Sequence, residues 1–102
     1  MFLMTTTTYP PDKATEIAKI FMELPELPPF VKRLHVLIDS DLIAGYKVYG
    51  LYEVENKKAY EGLVAIAERM TSYNKIEGCR FTIEPLLTPE EGLPMLGLAP
   101  PK

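Results

Sequence analysis

At 102 residues the chain has material for one domain and little surplus for a second core. Hydrophobic residues make up 47% and charged residues 25%, an ordinary globular balance that excludes disorder as the starting expectation. The net charge of −3 argues against a partner bound through its phosphates, and a lone Cys79 excludes an intrachain disulfide.

In chain order, Phe2 to Tyr9 is rich in Thr and short apolar residues, which suits a pleated strand, and Pro10-Pro11 ends it. Asp12 offers a side-chain oxygen to cap a helix, whose apolar face is expected to carry Ala14, Ile17, Ala18, Phe21 and Leu24. Pro25-Glu26-Leu27-Pro28-Pro29 is a stiff connector. From Arg33 to Asp39, Leu34, Val36 and Ile38 alternate with His35, Leu37 and Asp39, the period of a strand. Ser40 to Gly45 reads as a connection, and Tyr46 to Val54 as the second strand of a hairpin. Asn56 is placed to cap a second helix with Ala59, Leu63, Ile66, Ala67 and Met70 on one face. Asn74 to Gly78 breaks that helix, and Arg80 to Glu84 forms a last short strand closed by Pro85. Residues 86–102 are expected to run on as an extended apolar tail of the single domain 1–102, too rich in Pro and Gly for a long element. The order is β-α-β-β-α-β, and the class is α+β with a ferredoxin-like antiparallel four-stranded sheet and two helices on one face.

Several chemistries lack their residues. One His and one Cys, far apart in sequence, make no zinc or haem ligand set, so no cofactor is expected. Cys79 reads as a small buried hydrophobe. The loop Tyr9-Pro10-Pro11-Asp12 has no glycine to bring backbone N–H groups to a phosphate. Lys47-Val48-Tyr49-Gly50-Leu51-Tyr52 is similar to the base-stacking strand of RNA-recognition motifs, but Val48 stands where that pattern has glycine and Leu51 where it has an aromatic residue. No nucleic acid is expected as a partner. Met1 to Tyr9 lacks the basic start and apolar length of an export signal, and no apolar run approaches the roughly 20 residues that span a bilayer. The expected location is cytoplasmic, with no membrane contact.

Tyr46, Tyr49, Tyr52, Tyr60 and Tyr73 could wall a cavity, since a phenol gives an apolar surface with one polar handle, or simply pack the sheet. His35, Tyr49, Arg80 and Glu84 are the candidate pocket residues should the protein be an enzyme. Two helices cover one face of a four-stranded sheet, and neither parity of the central strands leaves a wholly polar second face. Leu37, Tyr49 and Leu51, with Leu93, Met95 and Leu96 of the tail, are therefore the candidate interface of a homodimer.

The element order, the length, the Met1-Phe2-Leu3-Met4 opening and the Glu84-Pro85-Leu86-Leu87 ending of the last strand resemble the dimeric α+β barrel superfamily, and within it small stand-alone members of unknown function. The resemblance extends to about Thr88. It implies a homodimer built through the open sheet face. Relatives include cofactor-free monooxygenases, muconolactone-isomerase-like enzymes, haem-degrading enzymes, stress-responsive proteins and amino-acid-sensing domains. They share no catalytic motif, so no catalytic residue is carried over. The expected function is a dimeric module holding a small apolar or amphipathic ligand between helices and sheet, or a structural subunit. The alternative is a cofactor-free monooxygenase- or isomerase-like enzyme for a small organic or aromatic substrate.

Overall fold

Alternation along the first strand sets the frame of the molecule. In β1 (Phe2–Tyr9) every second residue, Leu3, Thr5, Thr7 and Tyr9, is buried, and the residues between them turn to the opposite side. The computed structural model describes residues 1–41 and 45–99. Among them β1 is followed by α1 (Ala14–Glu23), β2 (Val31–Asp41), β3 (Gly45–Val54), α2 (Ala59–Met70), β4 (Arg80–Leu86) and a one-turn helix α3 (Pro89–Gly92). The strands form one open sheet in the order β2-β3-β1-β4 with every neighbouring pair antiparallel, an α+β architecture. No helix among the described residues is long and apolar enough to cross a membrane.

Both main helices pack on the side to which Leu3, Tyr52 and Val54 point, and Ile17, Ile20, Ile66 and Met70 complete the core there. The expected helix faces are each turned by about a residue. α1 buries Ile17 and Ile20, while Phe21 is 39% exposed and Ala18 lies outside. α2 buries Gly62, Ile66 and Met70, while Leu63 is 38% exposed. The cause in α2 is Gly62: a Cβ there would collide with the Val54 side chain, so its absence brings the helix down onto β3. Gly62→Val is therefore expected to cost about 1–3 kcal/mol in urea melts, since the helix must lift off the sheet to accommodate it.

β2 begins at Val31, two residues earlier than its alternation suggests, and is bulged at Leu34, where the pairing shifts between Arg33 and His35. The bulge puts Arg33 opposite Tyr52 on the helix side, yet keeps His35, Leu37 and Asp39 on the outer side opposite Leu51, Tyr49 and Lys47. Pairing continues to Asp41 and Gly45, so the expected connection narrows, and its centre, residues 42–44, lies outside the described residues.

Neither expected cap forms. Asp12 lies inside a 3₁₀ turn, Pro11–Lys13, and makes no side-chain cap bond. Pro11 opens that turn because its missing N–H would have no partner there anyway. Asn56 accepts instead from the Met1 nitrogen at 2.6 Å, and the same nitrogen donates to the Val54 carbonyl at 2.9 Å. After Glu84 the strand runs on through Pro85, which an edge strand tolerates, to Leu86. The tail expected to be extended then winds. The Glu91 N–H donates to Thr88 Oγ1, and the Thr88 N–H donates to Glu91 Oε1 at 3.0 Å, a reciprocal cap that starts α3 with Pro89 in its first turn. These bonds, the Thr88 backbone N–H first, hold the Glu91 carboxyl below its ordinary pKa. A 3₁₀ turn, Leu93–Leu96, follows.

Candidate functional site

The centre of the inner sheet face is floored by small side chains. Thr5 pairs with Gly50 and Thr7 with Val48, where an ordinary core would hold larger residues. The space above them is a cleft of two joined parts. One, about 40 Å³, is bounded by Thr5, Gly50, Tyr52, Ile66 and Arg69. The other, about 110 Å³, is bounded by Tyr9, Ile17 and Ile38. Thr7, Phe21, Val36, Val48 and Tyr73 border both. The cleft opens toward β2 because the helices do not reach over that strand: Ile38 points to the helix side and is still 65% exposed. Phe21 leaves the core for the same reason, becoming a wall of the cleft.

The cleft is walled mainly by apolar side chains, with Tyr52 and Arg69 on its narrower part and Tyr73 where the two parts meet. Burial, reinforced by the nearby Tyr52, pushes the Tyr73 phenol up to about 12 against the opposing pull of Arg69. The unfolded chain therefore releases this proton first, near the ordinary value of about 10. The Tyr73 contribution to stability is complete below that pH and is lost as pH rises to about 12. Ultraviolet titration of the folded protein should show one phenol ionising last, and Tyr73→Phe should remove that step. Arg69 carries a buried Nε atom with no hydrogen-bond partner among the described residues. Beyond Arg69 lies an outer basin of about 400 Å³ that Phe21, Leu24, Glu26 and Arg33 also border. The Arg33 guanidinium carbon lies 5.4 Å from the centre of the Phe21 ring. Among the described residues, no His, Cys, Asp or Glu borders the inner cleft, and no cluster of three such side chains could hold a metal ion.

The residues named from sequence fall elsewhere. His35, Tyr49, Arg80 and Glu84 all lie on the outer face, spread over three strands. His35, Leu51, Met4 and Glu84 form one row across the sheet. His35 and Glu84 are thus three strand spacings, about 14 Å, apart. Asp39, Lys47, Thr8 and Arg80 form another row, with the Lys47 ammonium 5.8 Å from the Tyr49 ring centre. Leu37 and Leu51 share this face with Tyr49, while Leu93, Met95 and Leu96 belong to the turn after α3. Of the tyrosines, Tyr52 and Tyr73 do wall a cavity, Tyr46 stacks on Tyr9 with ring centres 5.4 Å apart, and Tyr60 is exposed. Tyr49 and Tyr52 point to opposite faces and cannot act as a stacking pair. Cys79 packs against the core, and burial pushes its thiol up.

Sequence reasoning missed Thr5, Thr7, Phe21, Arg33 and Arg69 as site residues. A signal was available for the floor: period two turns half of the Thr5–Thr8 run inward, opposite Gly50. Arg33 reaches the helix side through the Leu34 bulge, which periodicity does not reveal. In comparisons with known proteins, no family model matches this sequence and no curated protein matches it with significance.

Proposed function

We propose that the chain is a cytoplasmic small-molecule-binding module of ferredoxin-like fold that works as a homodimer, a dimeric α+β barrel, with its ligand between helices and sheet. The observation that carries this reading is the apolar cleft of about 110 Å³ and the polar groups on the narrower part that joins it. A preformed apolar cavity of ~150 Å³ accepts benzene, so a single ring with a short polar substituent is the right scale. The polar groups of the cleft are tyrosine and threonine hydroxyls and the Arg69 guanidinium, a set suited to hydrogen-bonding a bound molecule. Methyl-resolved NMR titration with phenylacetamide tests it. Saturable shifts are expected at Ile17, Val36, Ile38 and Val48 and not at Leu37 or Leu51, and shifts confined to the outer face would refute it.

Two observations support the homodimer. The accessible surface is 7188 Å², against about 5,800 Å² for a compact chain of this mass. The outer face is also self-complementary. A twofold axis parallel to the strands would lay β2 over β4 of a second copy, with Asp39 facing its Arg80 and His35 its Glu84. The enzymatic alternative draws on the same pairing, because it would set His35 of one copy against Glu84 of the other with Tyr49 on the adjacent row, while Arg80 lies four residues along β4.

A further inference from the structure

Arg69 is the one described residue with a buried side-chain nitrogen that lacks a hydrogen-bond partner. Such a donor is costly, because a buried polar group without a partner loses its water and gains nothing in return. Its surroundings are specific. Arg69 borders the inner cleft together with Tyr52 and Tyr73, and it borders the outer basin together with Arg33. The cleft therefore ends at one guanidinium group, Arg69, and the basin beyond it is also bordered by Arg33. Neither has a carboxylate within ion-pair distance among the described residues, where the ion pair found joins Lys13 to Glu16. Glu26 also borders the basin, and Glu26 and Glu68 border a neighbouring hollow together with Arg69. Arg33 is held over the Phe21 ring, and Phe21 is itself a wall of the cleft, so charge and aromatic surface meet at one point.

Resting on the small-molecule reading above, we infer that the cleft selects an organic acid: an aromatic or branched apolar body between Phe21, Val36 and Val48, with its carboxylate on Arg69 and Arg33. A guanidinium fork matches the geometry of a carboxylate and gives its strongest hydrogen bonds to it. The carboxylate would meet the Arg69 guanidinium at the cleft wall, while the Tyr73 hydroxyl, kept protonated by burial, remains a donor beside it. An amine with the same body would meet the like charge of Arg69 at the cleft wall.

The test compares phenylacetate with phenylacetamide, which has the same ring and length but no charge, by methyl-resolved NMR titration of the full chain. Phenylacetate is expected to bind at least about tenfold more tightly, in keeping with hydrogen bonds to a charged group. Arg69→Gln should abolish that preference, Arg69→Lys should restore part of it, and the preference should shrink as salt is added. Arg33 is exposed, so Arg33→Gln leaves the core intact and should lower the preference even if Arg69→Gln fails to fold. Equal binding of the two probes would overturn the inference while leaving the small-molecule reading standing, with Arg69 satisfied by water only. Binding of neither probe in the cleft would overturn both.

Discussion

Ile66→Ala is expected to lower the free energy of unfolding by about 2–5 kcal/mol, the range for truncating a fully buried aliphatic side chain. Ile66 is 1% exposed and sits where α2 presses on the inner sheet face. The loss has two parts, the transfer energy of the deleted carbons and the void left behind. Little can collapse into that void, because Gly62 already holds the helix against Val54. Against a total stability of roughly 5–15 kcal/mol this is a large fraction, and it should appear as a lower urea midpoint at unchanged slope. Leu63→Ala, one turn-face away on the same helix, is the internal comparison and should cost clearly less, since Leu63 is partly in water already. Equal costs at the two positions would mean that α2 is rotated toward Leu63, the face suggested by its sequence pattern.

Leu51→Glu is expected to convert the proposed dimer to a folded monomer. Leu51 lies on β3, an interior strand of the sheet, on the outer face between His35 and Met4, and is only half-buried in the single chain. Pairing of two such faces would enclose it completely. A carboxylate there would lose its water without a dedicated partner, a penalty of several kcal/mol that exceeds what a modest interface can absorb. In the isolated chain the same side chain points to solvent, so circular dichroism and the core methyl spectrum should be unchanged. Light scattering at micromolar concentration should give the dimer mass for the wild type and the monomer mass for the variant. A monomeric wild type, or a variant that stays dimeric, would contradict the proposed pairing.

Much of the sheet was legible before any coordinates. Period two in β2 separates Val36 and Ile38 from His35 and Leu37 without reference to a partner, while which set faces the helices follows only from pairing with β3. Helix rotation was harder. Phe21 and Ile20 are adjacent, as are Leu63 and Gly62, so either member of each pair fits an apolar stripe more than 100° wide. A glycine's close approach leaves no mark in a hydrophobicity pattern. The tail was misjudged by counting Pro and Gly, although Thr88-Pro89-Glu90-Glu91 carries the local bonding pattern of a helix start. The candidate site was the least legible part. His35, Tyr49, Arg80 and Glu84 stand out by chemical type, yet the cleft is made by what is missing from its floor, the larger side chains that Thr5, Thr7 and Gly50 replace. Only strand register brings those positions together with Arg69.

The most direct test of the binding cleft is a crystal structure of the protein grown with phenylacetamide, a probe that carries no charge. Electron density for the ring is expected between Phe21, Val36 and Tyr73, inside the sheet-and-helix layer. A filled cleft of collapsed side chains with no ligand, or a ligand bound solely on the outer face near Tyr49, would contradict the account.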